Sequence, residues 1–265
     1  MAEDAMPSEW CMPSEVAETA GDDASFGRQT RPAADLTNEE AAVVLKTMKA
    51  GIKPDLSRYG YRAVKRAFDV VASTCAIALL LAPAAILSAV ICIKSPGAGP
   101  LYSQFRVGRL NRDGSYRLFR MWKFRSMVPD ADQMLDKLKD LNEADGPMFK
   151  IREDPRIIPG VGKFIRKHSI DELPQLLNVF VGDMSLIGPR PGLPKEVLQY
   201  DERATRRLTA KCGCGGAWQS KDRSDSSFDG MIDYDLEYID HSSVLYDIKL
   251  VAGTVASMFR GAGAY

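Results

Sequence analysis

The 265-residue sequence predicts an α+β protein that is anchored in a membrane by an apolar helix and carries a small cytosolic domain of helices around a β-hairpin. Two observations predict this fold class. Residues 67–93 form a long apolar segment with basic residues at both ends, and residues 101–125 show an alternating strand pattern. We therefore divide the chain into an N-terminal extension (1–60), a membrane segment (61–96) and a cytosolic domain (97–265).

The N-terminal extension is acidic at its start. Residues 1–35 contain eight acidic and two basic residues with little periodic apolar content, which is typical of a disordered segment. Thr37 and Glu40 then have the spacing of a capping box, and apolar residues recur at helical spacing as far as Ala50. This pattern predicts one short amphipathic helix before the membrane segment.

The apolar segment 67–93 contains a single charged residue, Asp69. At about 1.5 Å per residue it is long enough to cross a hydrocarbon core about 30 Å thick. Pro83 predicts a bend, because proline removes a backbone hydrogen bond. Basic residues, which prefer the cytoplasmic side, flank both ends. Three arrangements remain open from these residues: a transmembrane helix, a re-entrant hairpin with both ends on one side, and a buried helix of a soluble domain.

A β-hairpin is predicted directly after the membrane segment. Residues 101–107 and 116–125 alternate aromatic or aliphatic residues with basic ones around a turn at 111–114. The segment 101–125 carries seven basic residues and one acidic residue, so one face of the hairpin is cationic. This face is either solvated or contacts anionic lipid headgroups. We do not expect nucleic-acid binding, because no nucleic-acid recognition module accompanies the pattern.

The rest of the cytosolic domain is predicted to be mainly helical. Helices are expected at 129–141, 173–180 and 244–259, and the glycine and proline density of residues 182–192 predicts an ordered loop that presents Arg190. Cys212 and Cys214 lack a second Cys/His pair, so we interpret them as small residues in a glycine-rich turn and not as zinc ligands.

The adjacent carboxylates of Asp171 and Glu172 are the candidate reactive groups. Ser169 and Glu172 also have the spacing of a capping box, which would explain these residues by structure alone. Against that explanation, cations crowd the surrounding sequence: Lys123, Arg125, Arg156, Arg166, Lys167 and Arg190. Two carboxylates among cations can hold a polyphosphate with its Mg²⁺, and a carboxylate can attack phosphorus once the phosphate charge is neutralised.

Five motifs resemble the bacterial sugar transferase family, the monotopic phosphoglycosyl transferases. In chain order they are KFRSM at 123–127, DPR at 154–156, RxxSIDELPQLLNV at 166–179, GDMS at 182–185 and GPRP at 188–191. The resemblance runs from about Arg62 to the C-terminus. It implies an enzyme that transfers a sugar 1-phosphate from a UDP-sugar to undecaprenyl phosphate in the bacterial inner membrane and releases UMP, the first membrane step of exopolysaccharide, capsule or glycan biosynthesis.

The resemblance also assigns roles to residues. Asp171 and Glu172 match the family's Asp-Glu pair, with Asp171 as the nucleophile that forms a phosphosugar intermediate and Glu172, beside Asp171, as the ligand of the Mg²⁺ cofactor. Lys123, Arg166 and Arg190 fall on phosphate-binding positions. Arg125 and Arg156 lie in the same motifs and are further candidates for phosphate binding.

The family is anchored by a re-entrant helix broken near a proline, with the catalytic domain on the cytoplasmic face, which matches Pro83. The C-terminal region is similar to members that transfer galactose or glucose 1-phosphate, so a hexose is expected. This chain departs from that pattern at 220–222 and at 212–216. The alternatives are transfer of an N-acetylated sugar and a non-catalytic membrane scaffold that binds anionic lipid.

Overall fold

The computed structural model describes residues 36–131, 133–134, 138, 151, 153–221 and 228–260, which fall within one compact unit, Ala33–Tyr265. The acidic segment 1–35 lies outside the described residues. So does most of the helix predicted at 129–141, although residues 129–131 are described and form a turn.

Helices and short strands alternate along the described chain. The helices are α1 (Asn38–Thr47), α2 (Tyr59–Lys94), α3 (Val161–Lys167), α4 (Gln175–Val181), α5 (Pro194–Val197), α6 (Glu202–Thr205), α7 (Ala217–Lys221), α8 (Phe228–His241) and α9 (Val244–Arg260). The strands are β1 (Leu101–Val107), β2 (Leu118–Phe124), β3 (Ser185–Ile187) and β4 (Gly213–Gly215). This mixture of helix and strand confirms the predicted α+β class.

Helix α1 begins at the predicted capping box. The backbone N–H of Glu40 donates to Thr37 Oγ1 at 3.2 Å, and Glu40 Oε2 accepts from the backbone N–H of Thr37 at 2.8 Å. Leu45 on its inner face packs with Val107 and Leu110 of the hairpin region in one apolar cluster. The helix before the membrane segment is therefore part of the folded domain.

Helix α2 is a single helix of 36 residues that continues through Pro83. Within the described part of the chain it is the one helix long and apolar enough to cross a membrane. Its first half is tied to the domain by Arg66, whose guanidinium donates to the carbonyls of Val179 and Phe180 at 2.6 and 2.7 Å. Near its end, Ile91 is fully buried against Phe124. The apolar helix is confirmed, and both of its halves contact the same domain.

Strands β1 and β2 form the predicted antiparallel hairpin, with Leu101 opposite Phe124 and Val107 opposite Leu118. The turn between them closes through a hydrogen bond from the Gly114 N–H to the Asn111 carbonyl at 3.0 Å. Alternate residues of β2 point into the domain because side chains alternate along a strand. The hairpin thereby supplies both core residues and Lys123.

Strands β3 and β4 pair in parallel, with Ser185 opposite Gly213. Two expectations are corrected here. The segment 182–192 contains a strand as well as a loop, and the Cys212–Cys214 region enters a strand instead of a turn. A Cβ at Gly213 would lie 2.1 Å from the Gly188 nitrogen, so glycine is required for this close pairing. Three-residue strands leave no periodic signal in a sequence.

The C-terminal helices close the domain against α2. Helix α9 confirms the prediction for residues 244–259, whereas α8 was not predicted. Tyr238 of α8 donates to Asp247 Oδ1 of α9 at 2.6 Å, and Lys65 of α2 lies 3.1 Å from Asp247 Oδ2. These buried polar contacts fix both helices beside the first half of α2.

Candidate active site

The acidic pair lies on a short 3-10 turn, Ile170–Glu172, directly after α3. Ser169 joins the two elements with φ 54°, in the left-handed region that residues other than glycine rarely adopt. Its side chain makes no capping hydrogen bond, and its buried Oγ has no partner within the described residues. The capping-box explanation of Ser169 and Glu172 is therefore wrong. The unusual backbone at Ser169 turns the chain so that both carboxylates face β2.

Lys123 of β2 lies between the two carboxylates. Its Nζ donates to Glu172 Oε1 at 2.9 Å and lies 3.7 Å from Asp171 Oδ2. All three side chains are partly open to solvent, with the Asp171 side chain 14% exposed. Lys123 lies about fifty residues from the pair in the sequence, and the structure brings the three side chains together.

Burial raises the pKa of Asp171, and the nearby negative charge of Glu172 raises it further. Lys123 and Arg166 oppose this shift, because their positive charges favour the ionised carboxylate. The site therefore holds a carboxylate that is less well solvated than an ordinary surface aspartate. A cation bound beside it would relieve this unfavourable burial.

Asn178 of α4 fixes β2 next to the acidic pair, a role that the sequence did not reveal. Its Nδ2 donates to the Arg120 carbonyl at 2.8 Å, and its Oδ1 accepts from the Trp122 N–H at 3.1 Å. The amide thus replaces a missing neighbouring strand along the edge of β2. Because Lys123 directly follows Trp122, these two hydrogen bonds fix the position of Lys123 along the strand, opposite the carboxylates.

Arg166 lies in the last turn of α3, three residues before Ser169. Its carbonyl accepts from the Ser169 N–H at 3.0 Å, and its charge favours the ionised forms of both Asp171 and Asp154. The half-buried guanidinium of Arg166 is therefore within electrostatic reach of Asp171.

Arg125 and Arg156 lie in the same motifs but make structural contacts. Arg125 is 6% exposed, and its guanidinium donates to Ser95 Oγ and to the carbonyls of Ser95, Ala98 and Gly99 at 2.6–2.9 Å. It therefore ties the end of α2 to the end of β2. Arg156 is also 6% exposed and forms a two-pronged ion pair with Asp154 at 2.6 and 2.8 Å. These contacts favour a role for Arg125 and Arg156 in stabilising the fold over a role in phosphate binding.

Arg190 belongs to a second polar cluster. Its Nη1 lies 3.8 Å from Glu196 Oε2, its N–H donates to Asp235 Oδ2 at 3.4 Å, and its carbonyl accepts from Arg207 at 3.1 Å. None of the described contacts of Arg190 is to the acidic pair. The loop that presents Arg190 is thus held from both sides by the buried Arg207–Asp235 ion pair.

Arg106 adjoins this cluster and was not singled out from the sequence. It is buried, its Nη1 donates to the Pro191 carbonyl at 3.1 Å, and its Nε has no partner within the described residues. Burial lowers its pKa to about 10, and the positive charge of Arg190 adds to this effect. The signal that could have found it is a basic residue near the end of β1, beside the buried Val107.

Asp171 and Glu172 are also the candidate Mg²⁺ ligands. Within the described ranges, no three His, Cys, Asp or Glu side chains cluster closely enough to hold a metal ion by themselves. Mg²⁺ usually keeps several waters and uses one or two carboxylates together with substrate phosphates. Two adjacent carboxylates, one of them poorly solvated, fit that pattern of binding.

The fold and the site together describe an α+β protein with one helix long and apolar enough to cross a membrane and an acidic pair in contact with Lys123. The model of the bacterial sugar transferase family matches residues 60–261. The chain belongs to this family, as the resemblance of its motifs predicted.

Several relatives with assigned names are similar to this chain. It is 40% identical to the galactosyl transferase CpsE of Streptococcus agalactiae, over 78% of this chain and 44% of the relative. It is 36% identical to the undecaprenyl-phosphate galactose phosphotransferase of Salmonella typhimurium, over 83% of this chain and 45% of the relative. It is 34% identical to the exopolysaccharide production protein ExoY of Rhizobium meliloti, over 76% of this chain and 88% of the relative. The matched region is thus less than half of the first two relatives.

Proposed function

We propose that the protein is a phosphoglycosyl transferase that moves a sugar 1-phosphate from a UDP-sugar to undecaprenyl phosphate and releases UMP. The observation that carries this proposal is the contact of Lys123 with both Asp171 and Glu172, in a chain that belongs to the bacterial sugar transferase family. Relatives named as transferases that act on undecaprenyl phosphate support the choice of acceptor.

In the first half-reaction, Asp171 acts as the nucleophile. One carboxylate oxygen attacks the phosphorus that bears the sugar, the bond from that phosphorus to the UMP oxygen breaks, and UMP leaves with the electron pair. The sugar phosphate is then attached to Asp171 as an acyl phosphate. The raised pKa of this partly buried carboxyl indicates weak solvation, which leaves the ionised oxygen more reactive.

In the second half-reaction, a phosphate oxygen of undecaprenyl phosphate attacks the same phosphorus. The bond between phosphorus and the Asp171 oxygen breaks, and the free carboxylate is restored. The product is a lipid-linked diphosphate that carries the sugar. One face of the site must therefore be open to the membrane while the other admits the nucleotide.

Lys123 and Arg166 provide countercharge for the diphosphate. The Lys123 ammonium is 2.9 Å from Glu172 and can exchange this contact for a phosphate oxygen with little movement. Glu172 and Asp171 would hold Mg²⁺, which, when bound, would neutralise charge on the phosphates and stabilise the leaving UMP. Arg190 would reach the substrate from its own loop, which the Arg207–Asp235 pair keeps in place.

Helix α2 is proposed to enter one leaflet and return. Asp69 accepts hydrogen bonds from Ser185 Oγ and the Leu186 N–H, and Ala84 packs on the cluster around Ile91. These two points contact the same domain but are separated by only about 22 Å of helix, which is less than a hydrocarbon core about 30 Å thick. Between them, Leu79 and Leu81 are 78% and 67% exposed, as lipid-facing residues would be.

This arrangement would put the cytosolic domain on the cytoplasmic face of the bacterial inner membrane. Basic residues at both ends of α2 support that side, because lysine and arginine near a membrane segment favour the cytoplasm. The UDP-sugar and the phosphate of the lipid carrier would then meet at the site from the same side.

A hexose, galactose or glucose, is the proposed sugar. Relatives named for galactose and for glucose 1-phosphate transfer support it. A relative named for N-acetylgalactosamine phosphate transfer is 37% identical over 77% of this chain, so an N-acetylated sugar is the second candidate. A panel of UDP-sugars assayed for UMP release separates these candidates.

The decisive experiment is UMP release by the purified full chain with UDP-sugar, Mg²⁺ and undecaprenyl phosphate. Wild-type protein should release UMP, and Asp171→Asn should reduce the rate by at least about a thousandfold, because the amide is a far weaker nucleophile. A radiolabelled sugar phosphate should remain attached to the wild-type chain when the lipid acceptor is left out. An Asp171→Asn protein of full activity would rule out the covalent mechanism, and a chain that binds lipid without releasing UMP would support the scaffold alternative.

A further inference from the structure

A second concave site, here called the cationic pocket, lies near the turn end of the β1–β2 hairpin. It has a volume of about 210 Å³, and six charged side chains line it: Arg62, Arg109, Arg112, Arg117, Lys211 and Asp183. A space of this size holds several water molecules or a small multivalent anion. Five cations and a single carboxylate therefore line the same partly open space.

The cationic pocket is separate from the acidic pair. Arg117 precedes Lys123 by six residues along the β2 segment, which corresponds to about 20 Å of extended chain. Neither Asp171 nor Glu172 lines the pocket. The proposed transfer reaction therefore leaves this site without a role.

The polar contacts inside the pocket do not balance its charge. Asp183 pairs with Arg117 at 2.8 Å, while Lys211 donates to the Gly182 carbonyl at 2.8 Å. Arg109 and Arg112 have no hydrogen bond or ion pair with any residue that the structure describes. The half-buried Arg109 thus places a guanidinium at the pocket wall with its donors available.

The electrostatics agree with an excess of positive charge. Burial lowers the pKa of Lys211 to about 8, and the neighbouring guanidinium groups of Arg66 and Arg109 lower it further. The pKa of Arg109 is also lowered, first by burial and then by Arg62 and Arg117. A bound anion would relieve this repulsion, because an opposite charge nearby favours the protonated forms of both groups.

We propose that the cationic pocket binds a phosphate-bearing anion, a phosphate monoester or a diphosphate, at a site distinct from the acidic pair. Arginine donors form paired hydrogen bonds with phosphate oxygens, and an anion of two or more charges matches the surplus of cations better than a carboxylate does. Two sources share this chemistry. One is a soluble phosphate or diphosphate, and the other is the headgroup of an anionic lipid, since Arg62 belongs to the first turn of the membrane helix.

The soluble source is tested with inorganic pyrophosphate and the purified full chain in detergent without Mg²⁺, measured by calorimetry. Arg109→Gln and Arg112→Gln should each weaken binding by about tenfold, as expected for the loss of one charge-assisted interaction of about 1.4 kcal/mol. Arg112 is exposed, so its replacement should leave the fold intact even if that of Arg109 does not. Asp171→Asn and Arg190→Gln should bind as the wild type does.

The matched control is Arg120→Gln. Arg120 lies on β2, three residues after Arg117 of the pocket, but its guanidinium contacts the Phe105 ring and it does not line the pocket. The Arg120→Gln substitution removes the same single positive charge and should leave the affinity for pyrophosphate unchanged. An equal loss of binding in Arg120→Gln would mean that general charge attraction explains the binding, and a signal lost in Arg190→Gln but kept in Arg112→Gln would place the anion at the candidate active site. Either result overturns the proposal.

The lipid source is tested in nanodiscs of phosphatidylcholine with and without phosphatidylglycerol, followed by native mass spectrometry. Phosphatidylglycerol retained by the wild type and by Arg120→Gln, but not by Arg112→Gln, would identify the lipid headgroup as the ligand. Pyrophosphate binding without retained lipid would identify the soluble source. If neither probe distinguishes wild-type protein from Arg109→Gln and Arg112→Gln, the pocket is not an anion site.

Discussion

At the scale of single residues, Lys123 links the two carboxylates on which the proposed chemistry depends. Its Nζ is within 4 Å of both Asp171 and Glu172. A substrate diphosphate brings several negative charges to this point. The ammonium group is thus placed to counter charge that grows as UMP leaves.

We expect Lys123→Met to lower kcat for UMP release by about a hundredfold or more, because one preorganised positive charge is lost from the transition state. Lys123→Arg should recover part of the lost kcat, since the positive charge remains but the guanidinium is larger and planar. The kcat of each variant is measured in steady-state assays in which the UDP-sugar concentration is varied at saturating lipid acceptor. Equal activity of Lys123→Met and wild type would remove Lys123 from the mechanism.

Lys211 gives stability a dependence on pH. Its pKa is lowered to about 8 in the folded chain from the usual 10.5, so between these values the unfolded chain holds a proton that the folded chain has lost. The buried, protonated Lys211 destabilises the folded chain, and this destabilisation is fully present below pH 8. It disappears as the pH rises from 8 to 10.5, so the free energy of unfolding increases over that range.

The measurement is the thermal unfolding midpoint of wild type and Lys211→Met from pH 7 to 10. The wild type should gain stability relative to the variant across this range. Saturation of the cationic pocket with pyrophosphate should reduce the gain, because a bound anion raises the pKa of Lys211. A constant difference between the two proteins at every pH would contradict the lowered pKa.

At the scale of elements, the junction between α2 and the hairpin depends on Arg125. The guanidinium joins Ser95, at the end of the helix, to the loop that leads into β1. Helix ends leave carbonyl groups without partners, and the buried guanidinium donates here to the carbonyl of Ser95, the C-cap residue of α2, as well as to two loop carbonyls. Arg125 therefore stabilises the junction between α2 and the hairpin without contacting the acidic pair in any described hydrogen bond or ion pair.

Arg125→Gln should lower the unfolding midpoint by about 5 °C or more, because several buried carbonyl groups lose their donor. The KM for UDP-sugar should stay close to the wild-type value in the protein that remains folded. Arg166→Gln is the matched comparison and should give the opposite result, with little change in the midpoint and a loss in kcat/KM of about a hundredfold. A raised KM with an unchanged midpoint in Arg125→Gln would restore its predicted role in phosphate binding.

At the scale of the whole molecule, the proposed membrane topology is that of α2, and it is tested by the side on which each end of this helix lies. Gly60 lies in the first turn of α2 and Gly99 follows its C-terminal end, and a Cβ at either position would meet no atom within 4 Å. Cys75 and Cys92 are exposed on the helix and must first be replaced, as must Cys11, whereas burial raises the pKa of the Cys212 and Cys214 thiols and so lowers the reactive thiolate fraction of both.

In this background, Gly60→Cys and Gly99→Cys should both react with a membrane-impermeant maleimide in inside-out vesicles, and neither should react in right-side-out vesicles. Such labelling follows from a helix whose two ends lie on the cytoplasmic side. Labelling of the two sites from opposite sides would show a transmembrane helix and exclude the re-entrant arrangement.

Local patterns in the sequence were enough for the elements that depend on near neighbours. The capping box of α1, the β1–β2 hairpin, the apolar helix and α9 all follow from spacing over a few residues, and the structure confirms them. The pairing of β3 with β4 could not be predicted, because two three-residue strands are specified by a distant partner and by the absence of a Cβ at Gly213.

The candidate site divides in the same way. The sequence by itself determined that two adjacent carboxylates and a set of motif cations belong to one family pattern. Only the tertiary structure decided which cations face the carboxylates: Lys123 and Arg166 are near them, whereas Arg125 and Arg156 are committed to carbonyls and to Asp154. The physical reason is that a guanidinium's partners are chosen by three-dimensional packing and burial, which charge and spacing along the chain do not specify.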